Sequence, residues 1–519
     1  MSLAKRLYWI LPLMIVLAGI GLLFYENLKK VKEPPDEGIS RELKLGESQL
    51  ANAPAIFSKN DSYILSYFDD EKLIEKIYTK SWDLDSEQTH DIPFNKWSRV
   101  YNNGETLLYT DYYALYLGST DKKISEIDDF FPLQNRVLFL DNHNMYRLEP
   151  NTLKTQKVLS LEEGQKRVFV EQIDSKTYIL VYYPGRKGHL IKLYRADTQS
   201  EAKLVSENIY PISTTETFKD LSFDVNHNAF AVIFSTIQKQ GGKTVNAQYY
   251  TYHPFKKKEA PAVKTLQAKD PFSGSQLEGW EDIELKLNGK EADILFASHG
   301  FTETTYSEAK ASNIYRLHVS SSGQEITRIS NTPNRSMQPM FIDKGTVLWL
   351  DVHGDEKQIN LASNREVIIQ KADNYTSGHF ISAAGKSVGM LSYAFFTIFL
   401  TLMWYIWPFL FILLMMVVNN NALERGESWI MYLSLFIYTI PIVLLDDLLF
   451  TNKLLAAAPA YMSFQGSSWL YILGFGALAY LIMYLGTKSK EWGLVVRFTY
   501  FVGCHVLLLT FFIGPYLIQ

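Results

Sequence analysis

The sequence predicts an all-β propeller of seven blades, with six as the alternative, joined to α-helical transmembrane segments, one N-terminal and four C-terminal. Three observations carry that reading. Apolar stretches long enough to cross a bilayer lie only toward the two ends of the 519-residue chain. A polar block separates them. Within that block a tight turn followed by a β-branched and aromatic run recurs along the chain.

Residues 1–6 are expected on the cytoplasmic side. "LYWILPLMIVLAGIGLLFY" (7–25) carries no charge and is long enough to cross a hydrocarbon core of ~30 Å as a helix. Lys5 and Arg6 precede it as in an export signal, and no small-residue cleavage site follows, so it reads as an uncleaved signal anchor. "KEPPDEG" then breaks the helix and opens a linker over 26–52.

The propeller is placed at 53–375. Its turns and first runs are "SKND–SYILSYF" (58–68), "NNGE–TLLYTDY" (102–112), "LQN–RVLFLD" (133–141) and "DSK–TYILVYY" (174–183). "DVNHN–AFAVIFS" (224–235), "NGKEA–DILFASHG" (288–300) and "DKG–TVLWLDV" (343–352) continue the series. Second runs such as "NMYRLEP" (144–150) and "NIYRLHVS" (313–320) follow, then third runs such as "TQKVLSL" (155–161) and "EITRISN" (325–331). A four-stranded blade alone exposes both faces and both edges. Packing blades in a ring buries the faces and leaves only short edges. Seven turns argue for seven blades, and the short 102–134 interval keeps six open. A pair of β-sandwiches would use the same turn signals.

"NIYRLHVSSSGQEITRISNTPNRSMQPMFIDKGTVLWLD" (313–351) resembles the repeat of TolB-type β-propellers. "ISNTP" and "MQPMFIDKG" fill the places of that family's Asn-Pro segment and Asp-Gly turn, although "FI" stands where Ser-Pro would precede Asp343 and Gly345. The resemblance implies a module that binds proteins or ligands through its faces, and it carries no catalytic residue.

A linker at 376–390 leads to a four-helix transmembrane bundle at 391–518, with spans near 391–418, 429–450, 469–486 and 492–517. Trp404, Trp407, Trp429, Trp469 and Trp492 mostly sit near span ends, as interfacial anchors do. Pro408 and Pro441 fall inside spans, and "GFGALA" (474–479) offers small residues for close helix contact. With the N-terminus inside, the inner flanks hold Lys5, Arg6, Arg425, Lys488 and Lys490, and the outer flanks hold Lys29, Lys30, Lys32, Lys386 and Lys453. Arg497 and the signal-like N-terminus tip the balance toward a multi-pass cell-membrane protein with its large domain and C-terminus outside.

A net charge of −4 gives no global basic surface, so no nucleic-acid partner is expected, and "FKKKEA" (255–260) reads as a solvated turn. The one cysteine, Cys504, lies in an apolar stretch, which rules out an internal disulfide and a cysteine-rich metal site. This fits an exported bacterial domain that folds without disulfides. Nucleophile elbows, zincin helices, phosphate loops and EF-hand loops are absent, so no catalytic residue, metal or cofactor is expected. "STDK" (119–122) has nucleophile-like spacing but falls in a blade turn. "DNHN" (141–144) and "DVNHN" (224–228) hold calcium-type ligands, yet Asp, Asn and His are also what left-handed turns demand.

His299 and His353 each precede a glycine at the end of an apolar strand and are the candidate propeller-face residues. Asp446, Asp447, Arg497 and His505 are the candidate polar site among the spans, because ionisable groups in lipid face other helices, water or the interface. The expected role is recognition: the propeller binds an envelope protein, peptide or glycan, and the bundle sits in the lipid bilayer. The alternatives are a transporter or channel component with the propeller as receptor or gate, and an envelope enzyme with a site in the propeller funnel.

Overall fold

The computed structural model describes residues 7–49, 51–59, 61–185, 188–197, 200–210, 216–240, 243–256, 262–272, 274–300, 311–332, 334–445 and 448–517. The chain forms two compact units, one of residues 34–374 and one of residues 1–33 with 375–519.

Residues 34–374 form seven four-stranded antiparallel sheets, the blades of a propeller. Blade 1 comprises Ala55–Lys59, Ser62–Asp69, Lys72–Thr79 and Leu84–His90, from the axis outward. Blade 2 comprises Val100–Asn102, Leu107–Thr110, Ala114–Leu117 and Lys122–Glu126. Blade 3 comprises Asp129–Pro132, Val137–Asp141, Asn144–Glu149 and Lys154–Ser160. Blade 4 comprises Arg167–Ile173, Lys176–Tyr183, His189–Ala196 and Lys203–Tyr210. Blade 5 comprises Glu216–Val225, Ala229–Gln240, Lys243–Pro254 and Lys264–Leu266. Blade 6 comprises Glu278–Asn288, Glu291–Gly300, Ala311–Val319 and Gln324–Arg328. Blade 7 takes Arg335–Asp343, Thr346–His353 and Glu356–Ser363 from the end of the domain and Leu43–Ser48 from its start.

Each turn picked out in the sequence joins an inner strand to the second strand of the same blade, which settles the count at seven. Second strands are covered on both faces by neighbouring blades. They therefore read as nearly continuous apolar runs, with every residue from Tyr63 to Phe68 and from Thr177 to Tyr182 buried. The interface between blades 6 and 7 buries Trp349 with Leu295, Ile314, Ile329 and Ile39. Trp349 Nε1 donates to Asp351 Oδ1 at 2.9 Å, and that carboxylate also accepts from Ser336 Oγ at 2.7 Å and Asn360 Nδ2 at 2.7 Å.

The 26–52 segment, expected as linker, includes the strand Leu43–Ser48, which closes the ring by pairing antiparallel with Glu356–Ser363. "LKLGES" hides this role because it is short, half polar and bulged between Lys44 and Gly46. Gly46 is needed there, since a Cβ would overlap the Tyr67 ring of blade 1.

The helical unit contains α1 (Leu7–Val31). The short α2 (Glu366–Ala372) ends the propeller unit. The helical unit resumes with α3 (Ser377–Ala394), α4 (Phe396–Leu400), α5 (Leu402–Val418), α6 (Asn420–Glu424), α7 (Ser428–Leu445), α8 (Asn452–Ala457), α9 (Ala460–Ser463), α10 (Ser467–Ser489) and α11 (Leu494–Phe512). Among the described residues five helical stretches are long and apolar enough to cross a membrane: Tyr8–Val31, Ser377–Leu400, Ser428–Leu445, Ser467–Lys488 and Leu494–Phe512. Leu402–Val418 is a shorter apolar helix.

The expected linker at 376–390 is helical. Thr376 caps α3 in a reciprocal capping box with His379, and the small residues of "SAAGKSVGM" let α3 meet α1, where Asn27 Nδ2 donates to Ser387 Oγ at 2.9 Å. The first helix outlasts its apolar run because "ENLKKV" is good helix-forming sequence and only "KEPP" stops it. Edge contacts of Tyr8 with Trp492 and Tyr500, and the Phe512 ring against Gly19, show that α1 and α11 run parallel. Thr397 beside Gly514 and Phe409 beside Phe498 show that α4 and α5 run against α11.

Candidate functional site

The inner strands of the blades line the propeller axis, and an inner strand has one edge with no neighbouring strand. On blades 5 to 7 side chains replace that neighbour. Asp220 Oδ2, Ser222 Oγ and Asp224 Oδ2 of blade 5 accept from the backbone N–H groups of Ile283 (3.3 Å), Leu285 (3.0 Å) and Leu287 (2.6 Å) of blade 6. Asp282 Oδ2 and Glu284 Oε2 of blade 6 accept in turn from the N–H groups of Gln338 (2.9 Å) and Phe341 (3.0 Å) of blade 7. The alternate spacing follows the strand period of two, and the extra residue between 338 and 341 is the bulge at Met337/Met340. Satisfying a buried backbone donor with a carboxylate avoids a penalty of about 1–3 kcal/mol per group.

The mouth at which the inner strands begin is rich in charge. Arg99 donates to Asp129 Oδ1 and to the Phe130 carbonyl, both at 2.9 Å. Arg167 donates to the Lys219 carbonyl at 3.2 Å, and Lys219 Nζ to the Trp280 carbonyl at 3.3 Å and Glu281 Oε1 at 3.1 Å. Arg335 donates to Glu281 Oε2 at 3.1 Å. Solvent reaches the side chains of the Arg99–Asp129 pair, which is worth little to stability. Its consequence is a fixed pattern of charge around an opening.

Below this mouth a cavity of about 590 Å³ is lined by blades 2 to 5, including Arg99, Asp128, Asp129, Arg167 and Asp220. A second, of about 650 Å³, shares Arg99, Val170 and Glu171 with it and extends along the axis past Gln172, Glu284 and Lys286. Deep in the channel, Glu171 is pushed up to about 7 by burial and then by the Asp224 charge, and Glu284 to about 8 by burial and then by Glu171. Protein surrounds both carboxyls, while water still enters along the axis. Burial alone would lower Lys286, but Asp224, whose carboxylate is 3.6 Å away, Glu171 and Glu284 hold it above the ordinary lysine range.

Beside the charged opening stand three exposed aromatic side chains, Trp97, Tyr112 and Tyr113, at 47%, 54% and 77% exposure. Blade 2 pairs Arg99 with Thr110 by backbone and side-chain bonds, which brings the 97 and 112 loops to one level. The Tyr113 carbonyl accepts from Ile127 N–H at 2.8 Å, which sets Tyr113 next to Asp128 and Asp129. Residues 34–42 run past Arg328, whose Nε donates to the Pro35 carbonyl, and 364–374 follow the opposite end of blade 7.

His299 and His353 close the second strands of blades 6 and 7, on the face where the inner strands begin. His299 is exposed and lies in register with Glu278 and Ser312. Both strand ends thus lie on the face of the charged mouth, and among the described residues His299 does not line either cavity. The mouth residues escaped sequence reasoning because they are scattered over six blades. "DYY" at 111–113 was the available signal: two aromatic residues in a turn where polar chemistry is the rule.

Asp446 and Asp447 lie outside the described residues. Arg497 Nε donates to the Trp492 carbonyl at 2.7 Å, at the start of α11. His505 is buried between three helices. Its Nδ1 faces the Tyr438 hydroxyl of α7 at 2.9 Å and its Nε2 the Ile472 carbonyl of α10 at 3.1 Å. A carbonyl can only accept, so Nε2 carries the proton and Nδ1 accepts from the tyrosine. The imidazole packs beside Gly476, 3.9 Å from where a Cβ would be, which is ordinary contact distance.

No protein-family model matches the chain. No curated protein matches it. Among solved structures it is similar to the Pan2 WD40 domain of Neurospora crassa, at 9% identity, covering 64% of this chain and 97% of that one with a TM-score of 0.35. It is also similar to a structure described as that of the eukaryotic initiation factor, at 8% identity, covering 60% and 85% with a TM-score of 0.32. The propeller assignment rests on the strand order within the seven sheets rather than on these likenesses.

Proposed function

We propose that this is a cell-membrane protein whose extracytoplasmic propeller recognises an extended peptide segment of an envelope protein at the mouth where the inner strands begin. The observation that carries the reading is the juxtaposition of the exposed Trp97, Tyr112 and Tyr113 with a cavity of about 590 Å³ bearing Arg99, Arg167, Asp128 and Asp129. Aromatic platforms supply contact area at low entropic cost, and fixed charges of both signs select and orient a polar chain. A glycan would use the same platforms and is the runner-up ligand. The sequence likeness to TolB-type repeats agrees with a face-binding module. The intramembrane histidine, with both ring nitrogens engaged by neutral groups, supports a bundle that holds the propeller rather than one that conducts.

A photo-crosslinking residue at Tyr113 in the intact protein should trap a discrete envelope partner. The same residue at Lys344, in the turn at the opposite end of blade 7, should not. Trp97→Ala with Arg167→Gln should abolish the adduct while leaving protein level unchanged. Equal trapping at both positions, or an adduct indifferent to the double change, would sink the assignment of this mouth.

A further inference from the structure

The helical unit carries a groove between α1 and α11 that the recognition reading leaves unused. It encloses about 550 Å³ and is lined by Trp9 and Pro12 of α1 and by Thr499, Tyr500, Gly503 and Leu507 of α11. The α11 positions follow i, i+1, i+4 and i+8, so they share one face of the helix. From Val495 to Leu507 the groove runs ~18 Å along the helix at 1.5 Å per residue. One leaflet of a ~30 Å hydrocarbon core is ~15 Å deep. The groove therefore matches the depth of one leaflet, and it opens sideways, because Trp9 and Val496 are about half exposed, at 48% and 52%.

Its upper end is polar and cationic. Lys490 Nζ lies 5.5 Å from the Tyr8 ring centroid, and Tyr8 meets both Trp492 and the groove residue Tyr500 edge-on. The Tyr500 hydroxyl donates to the Tyr8 carbonyl, which pins the groove wall to this cluster. Arg497 is anchored on the Trp492 carbonyl. Lys488 lies 4.9 Å from the Tyr484 ring, one turn back along α10. Within residues 488–497 these three cations stand against one acid, Glu491. Aromatic rings with adjacent cations are what the headgroup level of a membrane selects, and charge of this sign faces a phosphate.

We propose that the α1–α11 groove is a specific site for an acidic phospholipid, one acyl chain lying along Gly503 and the phosphate facing Lys490 and Arg497. The occupant is a lipid because an apolar slot as deep as one leaflet ends at a cationic cluster at headgroup level, a pairing that a neutral helix would not use.

The test is native mass spectrometry of the full-length protein in detergent, titrated separately with phosphatidylglycerol and phosphatidylcholine of identical chains. Each cation near a headgroup favours an anionic lipid by about fivefold, so the two together should give roughly 25-fold preference for phosphatidylglycerol. Lys490→Gln with Arg497→Gln should bring the two lipids level. Gly503→Phe should remove the bound lipid of either kind by filling the slot. It should do so without loss of thermal stability, because nothing lies within 4 Å of a Cβ at 503. Equal binding of both lipids by the unaltered protein overturns the proposal, as does unchanged binding by Gly503→Phe. A homodimer that Gly503→Phe dissociates also overturns it, since a second helix would then fill the groove.

Discussion

Trp349 gives the most direct test of the blade packing. Its side chain is 0% exposed and lies between blades 6 and 7 against Leu295, Ile314 and Ile329. Truncation to alanine leaves a cavity that close-packed strands cannot collapse around, and a buried large aromatic lost this way costs about 3–5 kcal/mol. Its indole N–H also donates to Asp351 at 2.9 Å, a hydrogen bond to a charged group worth about 1.5–3 kcal/mol. Trp349→Phe loses that bond but keeps most of the ring. It should fall between the wild type and Trp349→Ala. Urea unfolding of residues 34–374, followed by far-UV circular dichroism, gives both differences from the midpoints at a common slope. If Trp349→Ala stays within about 0.5 kcal/mol of the wild type, the ordinary range for surface changes, the interface is not packed as described. If Trp349→Phe costs as much as Trp349→Ala, the carboxylate network rather than the packing holds the blades.

Three further outcomes are expected. Glu171 and Glu284 sit at about 7 and about 8 in the folded propeller, whereas an unfolded glutamate titrates near ~4.3. The folded state therefore binds more protons across that window, and stability should fall as pH rises from 5 toward 8; Glu284→Gln should flatten the slope, and a rise with pH contradicts the channel chemistry. His505→Phe strands the Tyr438 hydroxyl and should cost about 1–3 kcal/mol, read as a lower thermal midpoint of the purified protein; unchanged stability together with lost cellular function would instead assign His505 to a transport path. Ser321→Cys in a Cys504→Ala background should label with a membrane-impermeant thiol reagent in intact cells, since the 321 turn is exposed and Cys504 is buried; labelling only after lysis would place the propeller inside.

The blade count was legible because a second strand buried on both faces has to be apolar throughout, and a two- to four-residue turn has to precede it. "KTYILVYY" and "TVLWLDVH" can hardly be anything else. Strands at the axis and at the rim have one face or edge in water, so their sequences lose the signal. "LDSEQTH" in blade 1 and "LKLGES" in blade 7 look like loop. The closing strand was hidden for a second reason: its partner, Glu356–Ser363, lies some 300 residues away, and no local pattern reports a pairing at that distance. At the helices, hydropathy marked the spans but not their ends. Ser377–Met390 is too rich in glycine, serine and lysine to read as membrane sequence, yet its buried face carries the small Ala383 and Ser387, and Ser387 accepts from Asn27 of α1. The candidate mouth was illegible as a unit, since Arg99, Arg167, Lys219 and Arg335 stand in four different blades and only ring closure brings them to one opening.

The inner strands explain why the opening sits where it does. Those of blades 5, 6 and 7 have 10, 11 and 9 residues, whereas those of blades 1, 2 and 3 have 5, 3 and 4. A long inner strand exposes more unpaired backbone donors to the channel, and the carboxylates of Asp220, Asp224, Asp282 and Glu284 bridge that edge from blade to blade. Those side chains are committed to the backbone, so the acidity of the channel on that side reflects ring closure rather than a ligand site. Short strands leave fewer donors to satisfy and more space, and the larger share of both cavities faces blades 1 to 4. Arg99 and Asp129 pair at the rim there through partly exposed side chains, and the aromatic residues of blade 2 stand beside them. The same division predicts opposite responses to mutation. Asp224→Ala uncaps a backbone donor of Leu287 and weakens the fold. Arg99→Gln alters the charge at the opening while the seven sheets keep their pairing.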